Sequence, residues 1–376
     1  MRRLSLLAAV LAAAAVPAAA VASLSVTFVP ASPANYSHAT RPASAVRLIV
    51  VHVTEGTFPA TVSWFQNPRA HVSANYVVSR DGVVTQMVPN WNIAWHSGNP
   101  WVNRHSIGVE HEGFTGVAAT FTDAEYRASA ELVAGLMRRY LLPIDRRHLI
   151  GHNEVPDPFH PGLFGGYSHH TDPGRYWDWR RYLAYVRSYA RGVTPPPPAF
   201  DVTTSGVGFG GTVSGGVEWS AEPTGQTPDH LDFLVDGTLQ TTVRQPPFAF
   251  AWDTTRVSNG RHVLEVHAVA QTGATADSSL VVYVKNLPIR ITDLGLVPGQ
   301  TISGIVHIQP AYSRSPVRAE LLVDGLTRAT VQQPPFAFDW DTTRETPGPH
   351  TVTVRGFGPT QKPAASRSVH VIVATP

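Results

Sequence analysis

Three residues far apart in the chain have the types that hold a divalent metal. His52 closes an apolar run, His152 follows Leu149-Ile150-Gly151, and Asp172 opens Asp172-Pro173-Gly174 after a Gly-rich stretch. Two imidazoles and a carboxylate suit zinc, which in catalytic sites takes three protein ligands and keeps a fourth position open for water. Spacing alone does not select them, because the chain has 17 histidines and therefore many such triplets. A histidine at a strand end serves equally well as a packed or capped residue.

The elements that must carry these residues can be read from periodicity. Arg47 to His52 is an apolar strand, Asn75 to Val88 a hairpin turning on Asp81-Gly82, and Ser106 to Glu112 another strand. Helices fit Thr122 to Leu141, where Thr122 is the cap with Glu125 three residues on, and Tyr176 to Arg191. Leu24 to Val29 has the pattern of a further strand. Residues 43–193 thus read as a mixed α/β domain with its polar residues gathered at strand ends. Residues 195–198 are four prolines, an extended spacer that isolates this domain from the C-terminal half.

The C-terminal half is an internal repeat. Phe233 to Gly237 (FLVDG) returns as LLVDG at 321–325, QPPFAF at 245–250 returns at 333–338, and WDTTR at 252–256 returns at 340–344. With alternating stretches such as His262 to Val269 and His350 to Val354, the offset of 88 residues describes two antiparallel β-sandwiches, 199–286 and 287–376. They resemble bacterial immunoglobulin-like modules, without the cysteine pair of antibody domains.

Composition narrows the setting. Residues 1–22 combine Arg2 and Arg3 with an Ala- and Leu-rich stretch and small residues up to Ala22, the pattern of a cleaved secretory signal rather than a retained anchor. No cysteine is present, so an exported chain must fold without disulfides. Once Arg2 and Arg3 are removed, 27 basic residues face 27 acidic ones, which argues against global electrostatic capture by an anionic wall or nucleic acid, and cleavage of the signal implies no stable membrane insertion afterwards. The only lysines are Lys285 and Lys362, so the N-terminal domain has none. Nothing in the sequence fixes the oligomeric state.

The wording around the three candidate ligands is more specific than their spacing. VVHVTEG at 50–56, VSANYVVSRDGVVTQMVP at 72–89, AWHSGN at 94–99, NRHSIGVEHEGF at 103–114, GHNEV at 151–155 and HTDPGRYWDW at 170–179 succeed one another in the order of the type 2 N-acetylmuramoyl-L-alanine amidases. The chain resembles that family over about 150 residues. The resemblance implies zinc held by His52, His152 and Asp172, peptidoglycan as substrate, a secreted or wall-associated enzyme, and Glu110 as the catalytic carboxylate. Strand alternation puts Glu110 and Glu112 on one face, so the choice of Glu110 rests on the family pattern. His96 falls where the family lines the substrate cleft, although a hydrogen bond that steadies a loop would place it there equally well.

Two positions depart from the pattern. Asn75 stands where relatives often have His, and keeps hydrogen-bonding ability toward substrate without the capacity to ligate. His170 stands where some relatives have Lys, and would have to supply that charge to a developing oxyanion by being protonated. Trp91, Trp95 and Trp101 are candidates for apolar walls of a groove. The competing reading is a non-catalytic peptidoglycan-binding or wall-adhesion protein, in which the repeats are the main business.

Overall fold

The structure is a computed structural model that describes residues 24–156, 169–360 and 362–375. The expected signal segment and most of the Gly-rich stretch before Asp172 lie outside the described residues.

Six strands form the sheet of the N-terminal domain: β1 Val26–Phe28, β2 Leu48–Val53, β3 Tyr76–Val78, β4 Val84–Gln86, β5 Ser106–His111 and β6 Leu149–Gly151. Their spatial order is β1-β4-β3-β5-β2-β6. Only the β3–β4 hairpin is antiparallel, and its turn is closed by Gly82 at φ +81°. β2 lies between two parallel partners, β5 and β6, and is buried at all six positions. A strand covered on both faces should read as a continuous apolar run, and LIVVHV is that apart from His52.

Alternation divides β2 between two cores. Ile49, Val51 and Val53 pack with Ile107 and Val109 beneath two long helices, Asp123–Arg139 and Trp179–Ala190, which contribute Val133, Met137, Tyr182 and Val186. Leu48 and Val50 pack on the opposite face with Val102, Ile150 and Val155. His52 shares this second face at the carboxyl end of the strand, where a parallel sheet leaves a crevice for ligands. Two shorter helices, α1 Phe58–Gln66 and α2 Pro100–His105, precede the long ones and go beyond those read from periodicity. The long helices are therefore α3 (Asp123–Arg139) and α4 (Trp179–Ala190). The Thr122 hydroxyl caps α3 by accepting from the Glu125 N–H at 3.1 Å, and the first and last turns carry Asp123 with Glu125 and Arg138 with Arg139. These charges complement the helix dipole. No described helix is long and apolar enough to cross a membrane.

The C-terminal half is all β. The first module has a five-stranded and a three-stranded sheet around Trp219, Phe233 and Trp252; the second repeats the five-stranded sheet around Leu321, Phe338 and Trp340. The repeated words have structural jobs. Asp236-Gly237 and Asp324-Gly325 both adopt positive φ, the geometry of a two-residue hairpin. The WDTT aspartates Asp253 and Asp341 accept from the Thr255 and Thr343 N–H groups. The hairpin aspartate also pairs with the histidine that opens the alternating stretch: His262 Nδ1 lies 2.6 Å from Asp236, and His350 Nδ1 lies 2.6 Å from Asp324. The other ring nitrogen meets the Ser258 or Thr346 carbonyl.

In the second module the Thr346 carbonyl and then the Asp324 carboxylate push His350 above its ordinary value. A folded-state value above the unfolded one means that this stabilisation is complete below about pH 6.5 and is lost as pH rises through the folded value. His350→Gln is therefore expected to lower the stability of the second module by about 1–2 kcal/mol at pH 5.5 and by less at pH 8.5. Urea midpoints of the full chain at the two pH values measure this, and a loss that grows with pH would refute it.

Candidate active site

The register brings the candidate groups together. His52 on β2 lies directly opposite Glu110 on β5, and neighbouring parallel positions share a face. On the other side Val51 pairs with Gly151, the last residue of β6, so the chain delivers His152 beside His52 one residue later. The two imidazole rings are 4.3 Å apart between centroids. Asp172 reaches in from the loop before α4, 3.5 Å from His52 Nδ1 and 3.1 Å from His152 Nδ1. The loop is tied down by the Val53 N–H, which donates to Asp172 Oδ2, and by the Asn153 N–H, which donates to the Asp172 carbonyl.

His52 is oriented from behind. The Ser106 hydroxyl donates to the Val102 carbonyl at 2.6 Å, so its oxygen is left to accept from His96 Nε2–H at 3.0 Å. His96 Nδ1 must then accept from His52 Nε2–H at 2.9 Å, which leaves the lone pair of His52 on Nδ1, facing His152 and Asp172. A lone pair 3.5 Å from a carboxylate oxygen is repulsive unless a cation lies between them. Ligand atoms on zinc at about 2.0–2.1 Å in a tetrahedron stand about 3.3 Å apart, close to the 3.1 and 3.5 Å seen here. The three ligand atoms lie within 4.8 Å of one another, and among the described residues no other such group occurs. The donor set fits the metal that the sequence implies.

Electrostatics agree with this reading. Burial first, and then His152, pushes His52 down to about 4. His96 is held well below the ordinary histidine range by burial and by His52. Burial raises Asp172, but the His152 and His52 rings outweigh it and hold the carboxyl well below the usual range. Burial and the neighbouring Asp172 push Glu110 up to about 8, and its buried Oε2 has no hydrogen-bond partner among the described residues.

The remaining candidates separate. Glu112 accepts from the Phe58 N–H at the start of α1 and from the Arg80 N–H, so both its oxygens are occupied in holding the fold. Asn75 is fully buried, with its side chain joined to the Val88 carbonyl and the Gly108 N–H. Its amide is thus engaged within the fold, where the sequence reading expected a substrate contact. His170 is in place, stacked on His152 at 3.5 Å, but burial, His152 and His169 together push it down to about 4. A ring with that value is neutral at pH 7, where the sequence reading expected an imidazolium. Trp95 is half-buried and donates to Ser37, Trp91 is exposed, and Trp101 stacks on His105. Sequence reasoning missed Ser106 and His111, whose Nδ1 meets the His52 carbonyl at 2.9 Å.

An α/β domain that gathers imidazoles, an ionised carboxylate and a carboxyl raised toward neutrality at its strand ends has the site of a hydrolase. Comparison with known proteins agrees. The family described as N-acetylmuramoyl-L-alanine amidase matches residues 42–175, and that described as bacterial Ig domain matches residues 205–266. N-acetylmuramoyl-L-alanine amidase A of Achromobacter lyticus is 37% identical over 170 residues, which cover 42% of this chain and 90% of that protein. The 1,6-anhydro-N-acetylmuramyl-L-alanine amidase AmpD of Haemophilus influenzae is 33% identical over 122 residues, 31% of this chain and 59% of that protein. A solved structure, the N-acetylmuramoyl-L-alanine amidase LysC of Clostridium intestinale, is 18% identical with a TM-score of 0.33, covering 43% of this chain and 97% of that one. The chain belongs to the N-acetylmuramoyl-L-alanine amidase family.

Gly108 explains part of the family wording. A Cβ there would lie 2.5 Å from His96 Cγ, so only glycine lets the His96 ring pack across β5 behind His52. Gly108→Ala is expected to cost about 1–3 kcal/mol, as overpacking does. Gly135→Ala, in α3 with nothing near its Cβ, is expected to be neutral or to gain up to about 1 kcal/mol. Thermal or urea unfolding of both variants tests the contrast, and equal stabilities would remove the packing argument.

Proposed function

We propose that this amidase is an exported zinc enzyme that hydrolyses the amide joining the lactyl group of N-acetylmuramic acid to L-alanine in peptidoglycan. The observation that carries the reading is the convergence of His52, His152 and Asp172 within 4.8 Å beside Glu110, in a family whose named members are amidases of this bond. His52 through Nδ1, His152 and Asp172 would hold the zinc, which when bound supplies a Lewis acid that acidifies water and polarises the amide carbonyl.

The chain's own residues do the rest. Glu110, raised to about 8 and so able to exchange its proton near neutrality, acts in its ionised form: it takes a proton from the attacking water as the new carbon–oxygen bond forms. It then returns that proton to the alanine nitrogen as the carbon–nitrogen bond breaks, so water is divided between the two products. Neutral His170 offers an N–H donor to the developing oxyanion, in place of the cation that a lysine would provide. His96 acts through His52: it holds the ring and its tautomer while Ser106 holds His96. Trp95, next to His96 in the chain, forms an apolar wall for the extended stem peptide. The export pattern at residues 1–22 and the immunoglobulin-like modules support a secreted or wall-associated setting.

The deciding experiment is mass spectrometry of purified peptidoglycan digested with the protein: stem peptides with a free L-alanine amine, and glycan left uncut, are expected. Intact stems would refute the activity. About one zinc per chain is expected, with loss of turnover on chelation. His52→Ala, His152→Ala and Asp172→Ala should lose the metal, whereas Glu110→Gln should keep it and fall about 10²–10⁴-fold in turnover. Full activity of a metal-free preparation would end the zinc reading.

His170 gives a separate prediction. Its folded value is depressed to about 4, so the ring is already neutral above about pH 5 and gains no charge change between about pH 6 and 9. His170→Ala should lose about 10²-fold, and His170→Lys should leave the alkaline limb of turnover where it is in the parent. A limb that moves upward with lysine would restore the imidazolium.

A further inference from the structure

The strand Thr275–Val284 of the first immunoglobulin-like module is buried on both faces in its middle, from Ser278 to Val282. Leu280, Val282 and Val284 point into the sandwich core, as alternation requires. Ser279 and Val281 point outward, where a two-layer sandwich meets water, yet Ser279 is 3% and Val281 0% exposed. What covers them is the amidase domain.

The second module shows what that face looks like without a cover. In the first module the Gly210 N–H donates to the Val281 carbonyl, and in the second the Gly299 N–H donates to the His370 carbonyl. His370 thus holds the place of Val281, and Ser368 that of Ser279, and both are exposed. The cross-strand partners match: Val263 faces Val281, whereas Thr351 faces His370. One copy of the repeat is apolar and covered at this face, and the other is polar and open.

The contact is specific in its parts. Val281, Phe209 and Val263 pack against Phe114 and Val117, which lie just beyond β5 and Glu110. Arg261 lies over the Phe114 ring at 5.0 Å and Arg80 over the Phe209 ring at 4.6 Å. The Ser279 N–H donates to the Ala119 carbonyl at 3.2 Å. Arg127 donates to the Pro195 carbonyl at 2.7 Å and also to that of Pro196, so the proline run is held against α3 rather than left as a free spacer.

The segment 113–119 pressed by this module supports both ligand-bearing loops on its other side. Thr115 donates through its N–H to Glu55 at 2.9 Å, and Gly56 bridges to Gly113, just after His52. Gly174, two residues after Asp172, runs so close that a Cβ would lie 3.1 Å from the Thr115 carbonyl oxygen. We propose that the first immunoglobulin-like module is a structural part of the catalytic unit, packed through Val281 and Phe209 onto the 113–119 loop that supports the Asp172 turn, whereas the second module is not. On this reading the proline run joins the catalytic domain to the first module, where the sequence pattern suggested an isolating spacer.

Hydrogen exchange on the metal-free full chain tests this without relying on turnover. Val281→Arg removes the contact without entering the module's own core, Val281→Thr weakens it, and His370→Arg is the matched substitution in the second module. Val281→Arg is expected to speed exchange at residues 113–119 and 172–174 at least about 10-fold, Val281→Thr to do so by less, and His370→Arg to change neither. Amides of α3 should stay protected in all three. Unchanged exchange in the loop, or a rise of the same size in α3 as in the loop for both Val281 variants, would overturn the proposal.

Discussion

The site depends on the pairing of one strand between two parallel neighbours. Leu48 to Val53 has no free edge and no free face, so its register against Ser106–His111 and Leu149–Gly151 is fixed along its length. A slip of one residue would turn His52 into the α3 and α4 core and Val51 into the cleft. The same pairing sets Glu110 beside His52 and delivers His152 to the next position. Three groups of the candidate site therefore owe their geometry to backbone hydrogen bonds rather than to their own contacts, whereas Asp172 and His170 are brought in by a loop.

Parallel pairing cannot choose the state of each side chain, and burial does that. Glu110 and Glu112 share a face of one strand but differ in what covers them. The amino end of α1 and the Arg80 backbone give Glu112 two N–H donors, while Glu110 is left beside a second carboxylate with its Oε2 buried. One is a fold residue and the other holds a proton at pH 7. The same logic lowers His52 and His96, since a buried ring beside other rings loses its proton early.

The range of each interaction decides how much of this is legible in the sequence. Apolar alternation places β2, β5, the hairpin and both long helices within a few residues, because burial of a face imposes its own period. The repeat reveals the two sandwiches, and its hairpin and Asp-capped words keep their structural roles. α1 escapes because it is short, although Thr57 with Pro59 is a start signal. The tautomer of His52 is out of reach, since it is set by a residue 44 positions away and by a serine whose own donor is committed elsewhere. Likewise Asn75 looks like a cleft residue until its burial between Val88 and Gly108 is seen, and the charge of His170 depends on a ring stacked on it from another loop.

The contact between Val281 and Phe114 also has a consequence in time. A chain made from its amino end presents the amidase sheet, with β6 and α4, well before the strand Thr275–Val284. Amino-terminal domains fold as units while the rest is still being made. The sheet can thus close early, whereas the Phe114 face finds its partner only when the first module has emerged and folded. Between those moments Phe114 and Val117 are an uncovered apolar patch on a newborn enzyme, and the last step of maturation is the arrival of a domain rather than the closing of a bond.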